Sequence, residues 1–322
     1  MNIYIIYNYW ELLLSLIILE QSKSKDNILI ISGNEIDNEI LIKLEKYYKF
    51  IKFNFKSNKF IKLFTFYYKI NYFLPKKLNS ILIHSKRIIS FSDQDVVTRY
   101  FIKNKKNIDL YEHGAVNYQE NFDDLTQKIK SKIFGMEKPY GRNKYIKNIY
   151  LRGTGKIPKD IEDKVVLIDI EYLWSLIKKE SEDRIFEIFG LDSEEIKKVR
   201  SKEIILFTQP FSEDNVLSEK EKIELYKHII ENYNIEKLLI KSHPREKTNY
   251  KKEFPKITVI DQKIPSELLL FTKANFSKVA TVFSTSISIF LKKSEVDFYG
   301  TEVHPKLFKY YGNVDFFFKK NK

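Results

Sequence analysis

The sequence predicts an α/β protein of two successive domains, each built on a mostly parallel sheet covered by helices. Three observations lead there. Short apolar runs of strand length alternate with longer helical stretches through most of the chain. The alternation is interrupted at Leu151–Pro158, where Gly153, Gly155 and Pro158 cluster, and resumes near residue 200. The 322 residues, at roughly 150 per domain, provide for two cores. The boundaries implied are a first domain over 1–155, a connection over 156–200, and a second domain with a C-terminal tail over 201–322.

In chain order, Ile3–Tyr7 reads as a buried strand and Trp10–Gln21 as a helix with a broad apolar face. Ile28–Ser32 is a second strand ending at Gly33, and Glu35–Tyr47 a second helix. Phe50–Phe55 alternates as a strand does, and Phe60–Phe73 is an aromatic-rich helix with a core stripe. Arg87–Ser92 and Ile108–Tyr111 are further strands. Asn121–Lys147 is polar, basic and ill-patterned, as a loop or lid at a domain edge would be. Glu171–Glu187 is helical. The second domain then runs strand Glu203–Phe207, helix Ser218–Tyr233 and strand Leu238–Lys241. Short strands at Ile257–Val259 and Val279–Phe283 follow, with helices opening at Pro265 and Thr285 and a tail from Pro305.

Composition narrows the class. With 43% hydrophobic and 31% charged residues, nine glycines and eight prolines, the chain is neither disordered nor collagen-like. It has no cysteine, which excludes disulfides, thiolate catalysis and cysteine-ligated metals, and fits a reducing compartment. No segment reaches the roughly 18 to 20 apolar residues of a membrane span, and Met1–Tyr9 has no cation ahead of its apolar stretch, unlike a secretory signal. A cytoplasmic protein, soluble or peripheral on the inner membrane face, is the expectation. The formal charge is +13, but only seven of the 56 cations are arginine. Readers of guanine or phosphate by bidentate contacts are richer in arginine. Codon bias toward Lys, Ile, Asn, Tyr and Phe accounts for much of the surplus. A selected basic face would suit a membrane surface, a phosphorylated glycan or a nucleotide rather than DNA.

Neither G-x-G-x-x-G after a strand nor G-x-x-x-x-G-K-[ST] is present. Arg152-Gly153-Thr154-Gly155-Lys156 lacks phosphate-loop spacing and reads as an interdomain turn. The clearest chemical signal is the strand Leu239–Lys241 running into Ser242-His243-Pro244-Arg245. Pro244 keeps His243 out of helix, at the C-terminal strand edge where open α/β sheets bind ligands. Lys241, His243 and Arg245 there offer donors to an anion. Val282–Ser288 is a second strand, leading into Ser284, Thr285 and Ser286 at a helix start, whose amides suit phosphate or carboxylate. Pro265 opens a helix in which Glu267 can accept from a ribose.

Two α/β domains without a dinucleotide or P-loop fingerprint have the look of a GT-B-type glycosyltransferase, with two Rossmann-like domains. The His243-Pro244 and Ser284-Thr285 pair, in this order, resembles glycosyltransferase family 52, the bacterial lipooligosaccharide sialyltransferases with a capsule-type cousin. The resemblance also covers Ile3–Ile17 and Phe207–Asp214, and is thin over about 34–105.

The resemblance implies inverting transfer of sialic acid from CMP-sialic acid to a sugar hydroxyl of a surface glycan, lipooligosaccharide or capsule, with neither metal nor cofactor. The cleft would lie between the domains, with CMP held mainly by the second. CMP contacts would fall on Thr208, Gln209, Pro210, Lys241, Pro244, Arg245, Glu267, Ser284, Thr285 and Ser286. His243 and the serine hydroxyls would stabilise the leaving phosphate. The base that deprotonates the acceptor is either Asp214, in the acidic loop after the second domain's first strand, or Glu112, after Ile108–Tyr111. Related sialyltransferases carry an acid-acid-Gly turn where this chain has Glu112-His113-Gly114; His113 reads as a sialic acid ligand or a surface-loop histidine. Asp93-Gln94-Asp95 reads as a helix N-cap rather than a metal-binding D-x-D, and His84, His228 and His304 lack metal-site spacing. The expected partners are a nucleotide-sugar donor and a glycan acceptor, not nucleic acid, with a homodimer left open. The rivals are a transferase using another activated sugar or alditol phosphate, and a non-enzymatic basic protein bound to nucleic acid or membrane. The C-terminal Phe316–Lys322, three aromatics and three lysines, suits a headgroup region or packs as structure.

Overall fold

Strand β1 (Asn2–Ile6) is buried and β-branched, and turns at Asn8 into helix α1 (Tyr9–Gln21). Asn8 Oδ1 caps the helix by accepting from the Glu11 N–H. Glu11 and every residue from Leu12 to Ile18 are buried, so α1 is enclosed on all sides. The computed structural model describes residues 1–22, 24, 26–55, 68–120 and 139–314. Residues 60–67 of the expected aromatic-rich helix, most of the loop 121–147 and the tail Phe316–Lys322 lie outside the described residues.

The chain divides into two units, Met1–Ile188 and Phe189–Lys322. The first continues with β2 (Asn27–Ser32), α2 (Asn38–Glu45), β3 (Phe50–Phe53), α3 (Leu74–His84), β4 (Arg87–Ser90), α4 (Val96–Lys103), β5 (Ile108–Tyr111), β6 (Ile146–Leu151), β7 (Val165–Leu167), α5 (Ile170–Ser175) and α6 (Lys179–Phe189). Its sheet has the order β3-β2-β1-β4-β5-β6-β7, all parallel. Ile3, Ile5, Ile30, Val97, Tyr100, Phe101, Leu110 and Ile149 form its core.

The second unit carries α7 (Ser193–Arg200), β8 (Ile204–Phe207), α8 (Glu219–Ile230), β9 (Leu238–Lys241), α9 (Tyr250–Glu253), β10 (Thr258–Ile260), α10 (Ser266–Phe271), β11 (Lys278–Thr281), β12 (Glu295–Phe298) and α11 (Pro305–Tyr311). Its sheet is β10-β9-β8-β11-β12, again all parallel, and Leu206, Phe211, Leu225, Tyr226, Ile240 and Val282 lie at its core.

The expected α/β alternation is present in both halves, and several details differ. Arg152–Lys156 is not interdomain: it joins β6 to β7 inside the first sheet, whose last strand and the helices after it fall in the stretch read as a connection. The N-cap near Asp93 is Asp95, which accepts from the Val97 and Thr98 N–H groups. Buried Asp93 instead accepts from the Tyr140 and Gly141 amides, both at 2.9 Å. The helix expected from Thr285 is a short 3-10 turn over Thr285–Ile289, β12 is a strand the reading did not include, and α11 lies in the stretch read as tail.

Candidate active site

Because the five strands of the second sheet are parallel, the loops after them all emerge at one edge. Thr208–Pro210, Lys241–Arg245, Pro265–Glu267 and Ser284–Ser286 therefore share one rim of the second unit. Strand β8 lies between β9 and β11, and strands are about 4.8 Å apart, so the His243 and Ser284 loops leave strands roughly 10 Å apart. The sheet grows one way from β8 through β9 and β10, then the other way through β11 and β12. Ligands of open α/β sheets bind at such a reversal.

The His243 loop is held from below by a carboxylate that the sequence reading did not single out. Glu246 is buried. Its Oε1 accepts from Thr208 Oγ1 at 2.6 Å and from the His243 N–H at 2.7 Å, and its Oε2 from the Tyr250 hydroxyl at 2.6 Å. Lys222, fully enclosed on α8, places Nζ 2.9 Å from Glu213 Oε2, 3.2 Å from Glu219 Oε2 and 3.7 Å from Glu246 Oε2. Glu213 Oε1 in turn accepts the Lys247 N–H at 2.6 Å, and the Gln209 N–H donates to the Tyr226 hydroxyl at 2.6 Å. The signal for Glu246 was its spacing: three residues past His243, it reaches back to the His243 amide as a capping-box acid does.

His243 is a neutral donor. The Arg245 N–H donates to its Nδ1 at 3.1 Å, which assigns the ring proton to Nε2. Burial, then the Arg245 and Lys241 cations, pulls the imidazolium down to about 4. Lys241 is buried beneath the loop, and Nζ donates to the Ser242 and Gln262 carbonyls at 2.7 and 3.2 Å. Burial lowers its ammonium to about 8, opposed by Asp261, Glu246 and Glu267, so it stays charged at neutral pH. Pro244 and Arg245 are exposed and Glu267 is half-buried. Ser284 donates its N–H to Thr281 Oγ1 at 2.8 Å, and its own Oγ accepts from the Ser286 N–H at 3.3 Å. The Ser286 amide is thus engaged within the turn, while Thr285 is exposed.

Both carboxylates read as candidate bases are occupied by guanidinium groups. Asp214 is paired end-on with Arg245, Nη1 to Oδ1 at 2.6 Å and Nη2 to Oδ2 at 3.1 Å. In the first unit, Glu112 is 1% exposed; its Oε1 accepts from Arg152 Nε and Nη2 at 2.9 and 2.8 Å. Its Oε2 accepts from the Arg152 N–H and the Tyr118 hydroxyl at 2.7 and 2.6 Å. The Arg152 guanidinium lies 4.7 Å from the Trp10 ring centroid. Tyr118 OH also accepts from the Gly153 and Thr154 amides, so this glycine-rich turn spends its amides internally.

His113 and Gly114 follow Glu112 at the C-terminal edge of the first sheet. Asn117 Oδ1 accepts from both their N–H groups, at 2.8 and 3.2 Å. Gly114 has φ 149°, a conformation that favours glycine. The His113 ring lies 2.6 Å, Nδ1 to Oε1, from buried Glu11, whose Oε2 accepts from the Tyr7 N–H at 2.6 Å. Among the described residues, no group of three or more His, Asp or Glu is placed to hold a metal ion, and no helix is long and apolar enough to cross a membrane.

An uncharacterized protein of Haemophilus influenzae is 39% identical over 250 residues, covering 77% of this chain and 78% of its own. Among solved structures, the α/β-galactoside α-2,3-sialyltransferase of Photobacterium phosphoreum is similar at TM-score 0.60 and 16% identity, covering 92% of this chain and 88% of its own. The GT-B domain of the Photobacterium damselae sialyltransferase aligns at TM-score 0.57 and 14% identity, over 89% of this chain and 88% of its own. UDP-GlcNAc 2-epimerase of Methanocaldococcus jannaschii reaches TM-score 0.50 at 17% identity, over 96% and 91%. At these identities the likeness establishes the fold, a GT-B pair of Rossmann-like units. The model of glycosyltransferase family 52 matches residues 26–307, and on that match this chain belongs to glycosyltransferase family 52.

Proposed function

We propose that the protein is an inverting sialyltransferase that moves sialic acid from CMP-sialic acid to a terminal sugar hydroxyl of a bacterial surface glycan, lipooligosaccharide or capsule. The observation that carries this reading is the His243 loop. A neutral imidazole with its proton on Nε2 stands at the sheet reversal, over buried Lys241, on a backbone fixed by Glu246. Transfer breaks the bond between the sialyl anomeric carbon and a phosphate oxygen, and that oxygen leaves with the electron pair. His243 Nε2–H donates to it, and the Lys241 ammonium lowers the energy of the charge it gains. The pyrimidine nucleotide rests on the rim formed by Thr208–Pro210, Pro265–Glu267 and Ser284–Ser286. The phosphate is neutralised by protein cations, so turnover persists in EDTA. The lysine-rich surface holds the enzyme peripherally at the cytoplasmic face, next to a lipid-linked acceptor.

Thermal-shift titration with CMP, CDP, UDP and GDP tests the donor class: CMP stabilises most. Preference for UDP or GDP, or for CDP over CMP, means another activated sugar or alditol phosphate. His243→Ala lowers kcat by about 10² to 10⁴ while the fold and CMP binding persist; an unchanged kcat in the folded variant removes His243 from the mechanism.

A further inference from the structure

Resting on the peripheral location proposed above, we propose that one helix face of the first unit, from Tyr68 to Ile83, is the surface that docks on an anionic lipid bilayer. The net charge of +13 is concentrated rather than spread. Between Glu45 and Asp93 the chain carries eleven Lys and Arg and not one Asp or Glu, which leaves 45 cations against 43 acids everywhere else. At the acid frequency of the rest of the chain, that stretch would hold about seven. Codon bias adds lysines, but it gives no reason for acids to vanish from one stretch while staying frequent on either side.

Helix α3 is entered from a π-helical turn over Lys69–Phe73. Ile70, Leu74, Leu78 and Ile81 recur at helical spacing and are buried, the last three in the core of the first sheet. The opposite side carries Tyr68, Tyr72 and Lys76 four residues apart, with Phe73 and Lys77 beside them and Ile83 two turns on, all exposed. The two tyrosine rings stack, with centroids 5.7 Å apart. Ile83, at 74%, is the most exposed large apolar side chain among the described residues. The face is fixed from beneath. Phe73 meets Phe53 of β3 and Phe55 edge-on, at 6.1 and 6.4 Å between centroids, and Lys69 Nζ lies 4.8 Å from the Phe55 centroid. Lys103 of α4 adds a cation at the side, donating to Asn71 Oδ1.

A bilayer is the occupant this chemistry fits. Tyrosine has an apolar ring and a polar tip, and lysine an aliphatic stem and a charged head. Both settle at the headgroup boundary, with ring and stem toward the acyl chains and hydroxyl and ammonium among the phosphates. A second copy fits badly, because an isologous contact sets Lys76 and Lys77 near their own images in a stretch with no acid to meet them. Nucleic-acid phosphate favours arginine forks. The stretch has one arginine, Arg87, and its Nε already donates to Asp109 Oδ2 at 2.7 Å.

Sedimentation with vesicles of phosphatidylethanolamine and phosphatidylglycerol tests the assignment, with CMP thermal shift on each variant as the check that fold and donor binding persist. Lys76→Glu with Lys77→Glu should weaken vesicle partitioning by on the order of 100-fold, and Tyr68→Ser with Tyr72→Ser by about tenfold. The matched control, Lys251→Glu with Lys252→Glu at exposed positions of α9, makes the same change in net charge and should stay within about threefold of wild type. Tyr72→Trp should emit further to the blue when vesicles are added; emission that does not move leaves the ring outside the bilayer and overturns the assignment. Equal losses in the two charge variants, or patch variants that sediment as wild type does, overturn it too and leave the transferase reading standing. So does a wild type that ignores vesicles and instead dimerises through this face or binds single-stranded RNA through the tyrosines. A wild type that docks as proposed but gains no stability from CMP overturns the transferase reading alone.

Discussion

Glu112 shows how a carboxylate at the right place in the sheet can be structural. It is sealed against Arg152, and its four acceptor contacts leave no lone pair for a substrate. Removing it strands a largely buried guanidinium, so Glu112→Ala should cost about 3 kcal/mol of stability, read as a lower urea midpoint with an unchanged slope. His243 makes the opposite kind of prediction, in pH. In the unfolded chain it titrates near 6.5, but in the fold it resists protonation until about 4. Between those values the unfolded form binds more protons, so this residue's contribution to stability is present above 6.5 and falls as pH drops toward 4. His243→Gln should flatten the acid side of the stability profile over that window; a profile unchanged from wild type would mean the imidazole is solvated in the fold. The His-Pro loop was legible because a buried strand followed by proline has one place to put its histidine. The fate of the acids was not. Asp214 meets a partner 31 positions away and Glu112 one 40 positions away, and local pattern carries no record of such pairs.

Helix α8 is the element whose start the sequence marks most clearly. Ser218 Oγ accepts from the Glu221 N–H at 3.2 Å and Glu221 Oε2 accepts from the Ser218 N–H at 2.8 Å, a reciprocal cap. Ser218→Ala should cost about 1 kcal/mol, measured by chemical denaturation. The same logic made β5 and β9 readable, since each has three buried apolar residues in a run of strand length. For α4 it found the start but set the cap two residues early, at Asp93 instead of Asp95. Elements with partial exposure were missed: β12 has an exposed or half-buried residue at every position, so it lacks the apolar run that betrays a buried strand. Glu11 stands three residues past Asn8, whose side chain caps its amide, while its reach to His113, 102 positions on, depends on the topology of the whole sheet.

At the scale of the molecule, the two parallel sheets each collect the loops that carry the candidate residues at the carboxyl edge, and a single chain direction explains both. That much followed from alternation alone, because parallel strands require crossovers. The charge of +13 is mostly lysine, a point charge suited to a diffuse anionic surface. The proposed peripheral location predicts that vesicles containing phosphatidylglycerol sediment the full chain at low salt and release it as salt rises, since attraction of about 1 kcal/mol per lysine at the surface is screened. Equal sedimentation with neutral phosphatidylcholine vesicles would point to apolar insertion instead.

The enclosed Lys222 cluster joins segments that the chain keeps apart: the Glu213 loop, the start of α8, and the turn from His243 to Lys247. A piece tied this way does not fray one strand at a time. The amide protons of His243 and Lys247, both given to cluster carboxylates, will exchange with solvent deuterium only when α8 lets go, with protection close to that of the helix itself. His243, proposed above to donate to the leaving phosphate, then rides on one of the slowest-opening parts of the second unit, and any motion that admits a substrate would have to come from elsewhere in the chain.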